Sequence, residues 1–484
     1  MRIYNRAPAD HLASIVLFPF DDFSIPFQHG LKLKLIGKQS GHGNEPAVRL
    51  GAQGAHDSQW IAYYGTVLEI NGEFWMWYLG QGPDEHWHQR VCLAKSNDGR
   101  VWEKPHLGLV KWGGSTQNNL VDMGEDMHVA ACVVFHEPDE PDPTKRFKMA
   151  FASRKYASHI GVAFSHDGLA WHESPNNPVG GWLEMAGGTK VDNCYYLSGQ
   201  GGKHPAGARQ LVTCASYDFE HWSEATCLGL RRGNAQIDSP VGKNTGAQVH
   251  LGAGLWNRGN VIIGFYGKWE GHPSNDRRMV TMDLGFAVSN DALHYREPIP
   301  DFPMVSAAED SWGLKRRESL LLNFPALIQG QGFANTADET LFWYAPWPEE
   351  ASDGVRVCSW TRDRLGYFAV ADGGMSALNQ ASNSHFVSAL IELSGEAARL
   401  SLNVDGLNEH NRLAVEIQDH AFRPLPGYEL AACRGLENSG LAQPIVWHDH
   451  EVIEDVASLI RVRIDFQGLR AEDIRLYAVY LDTA

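Results

Sequence analysis

Three carboxylates in this chain stand in company that suits proton transfer to a leaving oxygen. Glu184 lies between Trp182 and Met185 in GGWLEMAGGTKVDNCYYL, Asp57 follows His56 in GAHDSQWIAYYGTVL, and Asp126 stands two residues before His128 in GEDMHVAACVV. Two carboxyl groups suffice to break an acetal C–O bond, one protonating the departing oxygen and the other attacking the carbon or activating water. The neighbouring residue types fit a sugar. Trp60, Tyr63 and Trp182 offer flat apolar faces for a ring, while His56, His128, His250, Glu270, Gln329 and Gln331 offer partners for hydroxyls. Each also has a plain structural reading: Glu184 as a blade-edge carboxyl holding backbone donors, Asp57 as a turn former, His250 as a satisfied core histidine, the glutamines of QGQGF as strand caps.

These residues are far apart in the chain, so a scaffold must gather them. The scaffold announces itself as a repeat. The stretches AKSNDGRVWEK, AFSHDGLAWHE, CASYDFEHWSE and AVSNDALHYRE share the pattern Ser-x-Asp-x-x-x-aromatic, beginning at Ser96, Ser165, Ser216 and Ser289. Ahead of each serine runs an aromatic, β-branched strand, and ahead of that another apolar segment: GEFWMWYLG follows YYGTVLEI, and GNVIIGFYG follows AGLW. Units of about four short strands recurring every 50 to 70 residues are the signature of propeller blades. A fifth, weaker unit runs from FPALIQGQGF through ETLFWYAPW to VRVCSWTRDRLGYF, with Tyr367 and Phe368 at the aromatic position. In the repeated turn, Asp98 and Asp167 are expected to accept from backbone N–H groups two residues on, and Gly99 and Gly168 to supply positive φ. Too few acidic residues accompany each turn for a calcium loop.

The expected fold class is therefore all-β: a five-bladed β-propeller over residues 1–374, including an N-terminal extension 1–50, followed by a β-sandwich over 375–484. From about Ser376 the texture changes to alternating segments without the repeat, such as RLSLNVDG, NRLAVEIQD and IRLYAVYLD. A chain of 484 residues is too long for one ordinary core. Its formal charge of −17 argues against nucleic acid or an anionic membrane as the main partner. No apolar run approaches the roughly 18 residues of a membrane span. The N-terminal stretch lacks the apolar region and cleavage site of a secretory signal. Seven cysteines scattered singly fit a reduced compartment, and the expected location is cytoplasmic. Neither a metal nor a cofactor is expected. The cluster DEHWHQR, Asp84 to Arg90, carries a His-x-His pair of the kind common on exposed loops. A homo-oligomer is compatible with all of this.

With the repeats, the trailing sandwich and a third-blade Glu184 eleven residues before Tyr195, the chain resembles glycoside hydrolase families 32, 43 and 68. The resemblance spans roughly Gln59 to Phe368, with the sandwich beyond. It implies a cofactor-independent glycosidase of small oligosaccharides or glycosides, favouring furanosides such as fructosides or arabinosides. In that scheme Glu184 is the general acid, Asp57 attacks or activates water, and Asp126 positions and polarises. The sequence departs from the families in lacking Asp-Pro on the first and second inner strands, where Tyr63 or Tyr64 stands and Asp57 falls some six residues early. A glycoside phosphorylase on the same scaffold is the first rival, with Arg258, Arg277 and Arg278, or Lys315 to Arg317, as candidate phosphate cradles. A non-catalytic carbohydrate-binding propeller is the second.

Overall fold

The computed structural model describes residues 2–3, 12–38, 40–41, 45–83, 87–201, 209–232, 244–310, 326–347, 353–371, 383–393, 395–454, 456 and 458–484. Among these the chain is nearly all-β: the one α-helix is the four-residue Ala307–Asp310, and a few 3-10 turns complete the helical content. No helix is long and apolar enough to cross a membrane among the described residues. All seven cysteines are free.

Five antiparallel units follow one another. Unit one comprises Trp60–Ile70, Glu73–Gln81 and Arg90–Ser96, extended by a bridge between Lys95 and Glu103. Unit two has Ala131–His136, Phe147–Ala152, Ile160–Ser165 and His172–Glu173, and unit three Leu183–Val191, Cys194–Gly201, Leu211–Ser216 and Cys227–Leu230. Unit four has Gly246–Asn257, Ile262–Gly271, Thr281–Ser289 and Pro303–Val305. Unit five has Ala326–Asn335, Glu339–Trp347 and Gly354–Thr361. The first strands of the units touch in the order one, two, three, four, five and back to one.

The outer place in unit five is filled from the other end of the chain: Ser40–Gly41 and Val48–Arg49 pair antiparallel with Gly354–Thr361. This displaces the expected role of Tyr367 and Phe368. They lie on Gly366–Val370, which pairs with Leu31–Leu35 and with Arg475–Thr483 in a separate six-stranded sheet. A second six-stranded sheet is built on Leu459–Gly468, and the two sheets bury one apolar core that includes Leu400, Leu402 and Val479 from one and Val415, Ile464 and Phe466 from the other. Ser14–Leu17 and Phe27–His29 also join these sheets. The N-terminal residues are thus shared between unit five and the C-terminal sheets.

The repeated turn works as a local hydrogen-bond device. Ser96 Oγ accepts from the Gly99 N–H at 2.9 Å, and Asp98 Oδ1 accepts from the N–H groups of Arg100 and Val101, both at 2.8 Å. Ser165/Asp167, Ser216/Asp218 and Ser289/Asp291 cap their turns with the same Asp pattern. The residue after the Asp has positive φ in all four, as Gly99, Gly168, Phe219 and Ala292. Glycine accepts that conformation without strain, and in units three and four the capping bonds hold non-glycine residues there. Two of the turns also meet a tryptophan of the neighbouring unit: Trp77 of unit one donates to Gly168 O at 2.9 Å, and Trp343 of unit five to Gly99 O at 2.8 Å.

Candidate active site

At the centre of the ring the first strands depart from regular pairing. Their registers shift between Ala62 and Thr66, Met185 and Gly187, His250 and Ala253, and Gln329 and Phe333. Such bulges re-aim side chains and break the two-residue alternation. Close backbone approach accompanies them. A Cβ on Gly254 would lie 2.1 Å from Gly330 O, and one on Gly187 2.4 Å from Ala253 O, so the inner strands meet where side chains are missing. Gln331 straps the ring across this level, donating to Gly188 O and accepting from Gly188 N–H at 2.6 Å.

Beside these bulges opens a cavity of about 420 Å³. Glu184 on the first strand of unit three is the one carboxylate among its described lining residues. Trp60, Trp87, Trp182, Trp347 and Tyr64 form aromatic walls, with Trp60 and Trp87 edge to face at 5.0 Å. Arg154, Arg209 and Arg277 contribute three guanidinium groups, and His128, His250, Gln89 and Gln200 further polar groups. Several buried polar atoms here make no hydrogen bond with any described residue, among them Trp60 Nε1, Gln89 Oε1, Gln200 Oε1 and Arg277 Nε. Buried polar atoms in folded proteins are normally satisfied, so a concentration of unmet ones in a cavity is what a polar ligand would complete.

The electrostatics of the site follow from burial. Desolvation raises the Glu184 carboxyl above its ordinary value, with the Arg209 and Arg277 charges only partly opposing it. Among the described residues Glu184 forms no ion pair, and its hydrogen bond comes from Gln200 Nε2 at 3.4 Å. Burial brings Arg209 down to about 10, with Arg277 pushing the same way, and it lowers Arg277 as well. Both remain cationic at neutral pH. His250 is held far below its usual value by burial, then by Arg209 and Arg277, and His128 is brought down to about 4 by burial, then by Arg154 and His88. Both imidazoles are neutral there, with Tyr64 Oη 3.3 Å from His250 Nδ1.

The cavity gathers Glu184, Trp60, His128, Trp182 and His250 of the residues singled out in the sequence. The others stand apart from its lining. Asp57 is buried behind unit one, where its carboxylate accepts from Tyr78 Oη at 2.7 Å and pairs with Lys104. His56 is buried beside it, and burial lowers its pKa. Asp126 forms a two-pronged pair with Arg90 at 2.6 and 2.9 Å and reaches His88 at 3.3 Å, lining a separate cavity of about 320 Å³. The Arg90 hydrogen bonds hold its pKa below the ordinary range. The expected convergence of three carboxylates is therefore not what the chain builds, because both aspartates are engaged by cations of unit one. Tyr63 is buried with its hydroxyl near Gln331 O at 3.4 Å, and Tyr64 takes the cavity position. Glu270 pairs with Arg232 and Lys268. Gln329 donates to His250 O and Gly252 O at 3.0 and 2.9 Å, holding the unit-four bulge.

Arg154, Arg209, Gln200 and Trp347 were not singled out by sequence, while Trp87 and Gln89 lie in the DEHWHQR cluster read there as an exposed loop. Of the proposed phosphate cradles, Arg277 lines the cavity, whereas Arg258 pairs with Asp363 and Arg278 with Asp276. Lys315 to Arg317 lie outside the described residues, as do Asp84 to His86 of the His-x-His cluster. No cluster of three or more metal-ligating side chains occurs among the described residues.

No family model and no curated protein matches the chain. Solved structures similar to it include a glycosyl hydrolase from Bacteroides ovatus, at 13% identity over 70% of this chain and 97% of that one, with a TM-score of 0.44. Another, reported with the finding that the GH130 family of mannoside phosphorylases contains glycoside hydrolases targeting β-1,2 mannosidic linkages in Candida mannan, is 13% identical over 70% and 97%, with a TM-score of 0.43. The exo-β-1,3-galactanase of Phanerochaete chrysosporium with galactose is 11% identical over 90% and 99%, with a TM-score of 0.39.

Proposed function

We propose that the five units are the blades of a β-propeller carrying an appended β-sandwich, and that the chain is a carbohydrate-active enzyme that cleaves a glycosidic bond in the cavity beside Glu184. The observation that carries this reading is a desolvated carboxyl with a raised pKa in a cavity walled by four tryptophans and a tyrosine. A carboxyl whose pKa is raised by burial holds its proton to higher pH than a free carboxylate, which suits delivery of that proton to a departing oxygen. The aromatic walls suit the apolar faces of a sugar ring, and the unmet polar atoms suit its hydroxyls. Furanosides such as fructosides and arabinosides head the substrate panel, and a cytoplasmic location would supply them as imported, shortened glycosides.

The lining supplies no second described carboxylate to activate water, and this favours a second reading, in which the attacking group comes from a bound anion. A panel of aryl glycosides and oligosaccharides assayed with and without phosphate tests both. Cleavage abolished by Glu184→Gln on substrates with poor leaving groups supports the assignment. Undiminished turnover of such a substrate by that variant would sink it.

A further inference from the structure

The cavity wall holds a second polar pair beside the carboxyl. Tyr64 Oη stands 3.3 Å from His250 Nδ1, joining the first strand of unit one to the first strand of unit four. Both residues line the cavity and both are nearly enclosed, at 6% exposure each. Each sits at a break in strand regularity. The unit-one register shifts between Ala62 and Thr66, and a Cβ on Gly65 would lie 1.9 Å from Trp77 O, so glycine is what lets the strand bulge beside Tyr64. The unit-four register shifts directly after His250, where Leu251 has a φ of 55° and Gly252 one of 80°. A bulky residue at positive φ is strained, and it persists only where its surroundings enforce it. Gln329 enforces it here by donating to both His250 O and Gly252 O, while the Trp269 ring at 5.6 Å and the Trp347 ring at 4.9 Å flank the imidazole. The same bulge seats the pair against the acid. A Cβ on Gly252 would lie 2.6 Å from the Gly199 backbone, and Gly199 pairs with Met185, the residue after Glu184.

We propose that Tyr64 is the attacking group of the reaction, with His250 as the base that takes its proton, so that this chain cleaves glycosides with retention of anomeric configuration. This rests on the glycoside-cleaving reading of the cavity, and it names a source for the group that the described lining does not offer as a second carboxylate. A phenol oxygen can serve as the nucleophile of a glycosidase in place of a carboxylate. In the first step Tyr64 Oη forms a bond to the anomeric carbon as the glycosidic C–O bond breaks. The phenol proton passes to His250 Nδ1, free to accept it in the tautomer with its own proton on Nε2, and the Glu184 proton passes to the leaving oxygen. In the second step Glu184, now a carboxylate, takes a proton from water and the water oxygen bonds to the anomeric carbon. The bond to Oη breaks as His250 returns its proton to Tyr64. The products are an alcohol and a free sugar, and each group regains its starting state. Burial sets the timing of the proton. It raises the phenol far above its usual range, with the Glu184 charge acting the same way and the Arg277 charge against it, and it holds His250 neutral. The phenolate is therefore not formed in advance: the proton leaves only as the new bond forms, with a sugar seated in the cavity.

The test uses the full chain and the panel glycosides it cleaves. Proton NMR of the first-formed anomer is expected to show retention. A dinitrophenyl glycoside of the same sugar, with fluorine in place of the hydroxyl next to the anomeric carbon, slows both steps while its good leaving group favours the first. It should leave a single sugar on the protein, and peptide mass spectrometry should find it on Tyr64. Tyr64→Phe is expected to lower kcat roughly 10³-fold or more and to abolish labelling, and His250→Gln to lower kcat about 10²-fold. Tyr63→Phe, whose hydroxyl meets Gln331 O apart from the cavity lining, should keep wild-type turnover. Circular dichroism separates loss of chemistry from loss of the fold, and the wild-type label decides where Tyr64→Phe does not fold. Inversion of configuration, absence of a label on Tyr64, or wild-type kcat in Tyr64→Phe overturns the proposal. If Glu184→Gln is inactive on poor leaving groups, each of these results leaves the glycoside-cleaving reading standing; cleavage of no panel glycoside by the wild type removes both.

Discussion

Glu184 and Gln200 face each other across the first hairpin of unit three, the amide of Gln200 donating to the carboxyl of Glu184 at 3.4 Å. The proposed proton donor is thus held by a rigid strand pair, with no ion pair among the described residues to fix it in the ionised form. Replacing it by Gln preserves shape and the cross-strand contact. We expect kcat to fall roughly 10²- to 10⁴-fold on glycosides with poor leaving groups, the usual worth of a positioned general acid. Activated aryl glycosides should lose much less, and a leaving-group series read by steady-state kinetics checks the difference.

The same carboxyl should shape the pH profile. A general acid works while protonated, so activity declines as pH rises through the raised pKa of Glu184. Arg277 and Arg209 both lower that pKa, against the larger effect of burial. Arg277→Met should therefore move the alkaline limb of kcat to higher pH, and a pH–rate profile that stays in place would contradict the coupling.

Stability follows with a definite sign. A carboxyl whose folded pKa is raised supports the fold below its unfolded pKa, and that support is lost as pH rises through the folded value. Glu184→Gln should consequently melt higher than the wild type at neutral pH. The gap should close in acid below about pH 4, near the unfolded carboxyl pKa. Thermal melts across this range provide the check.

Asp57 makes the opposite case. Its carboxylate joins Tyr78 and Lys104 behind unit one, away from the cavity lining. Asp57→Ala removes the acceptor of the buried Tyr78 hydroxyl and the counter-charge of Lys104. Among the described residues this leaves Tyr78 only the Asn119 amide and Lys104 only the Arg49 carbonyl as hydrogen-bond partners, and it should cost about 3 kcal/mol, as for other broken buried pairs. Folded protein should keep most of its kcat. Denaturant unfolding reads the first effect, and turnover per folded molecule the second; a thousandfold loss of kcat without a change in stability would restore Asp57 to the chemistry.

Ring closure depends on small residues. A methyl at Gly187 would meet Ala253 O at 2.4 Å and Gln331 Oε1 at 2.7 Å. Gly187→Ala should destabilise by about 1–3 kcal/mol, the range for overpacking a tight contact, and should lower activity by shifting Glu184, which precedes it on the same bulged strand. Calorimetry and kcat/KM measured together test both effects.

What could be read from the sequence is what is decided locally. The Ser-x-Asp turns were legible because Ser96, Asp98 and Gly99 hydrogen-bond within a few residues of one another, and the hairpins because their strands are neighbours in the chain. The choice of Tyr63 over Tyr64 failed for a physical reason: the bulge between Ala62 and Thr66 breaks the alternation that assigns faces. Asp57 and Asp126 were drawn toward the site by their neighbours in sequence, when Lys104 and Arg90 hold them elsewhere. Arg154 and Arg209 carry no pattern at all. The partner of Gly354–Thr361 was beyond reach, since the strands that fill that place come from residues 40–49.

That last pairing bears on how the protein is made. Ser14–Leu17 must wait for Arg475–Thr483, and Val48–Arg49 for Gly354–Thr361, before either has its hydrogen-bonding edge covered. On a ribosome adding about 5–20 residues per second, the first strands emerge roughly half a minute to a minute and a half before their last partners. During that interval they are open edges, and the sheet that holds Ser14–Leu17 closes over it only once Arg475–Thr483 has been made.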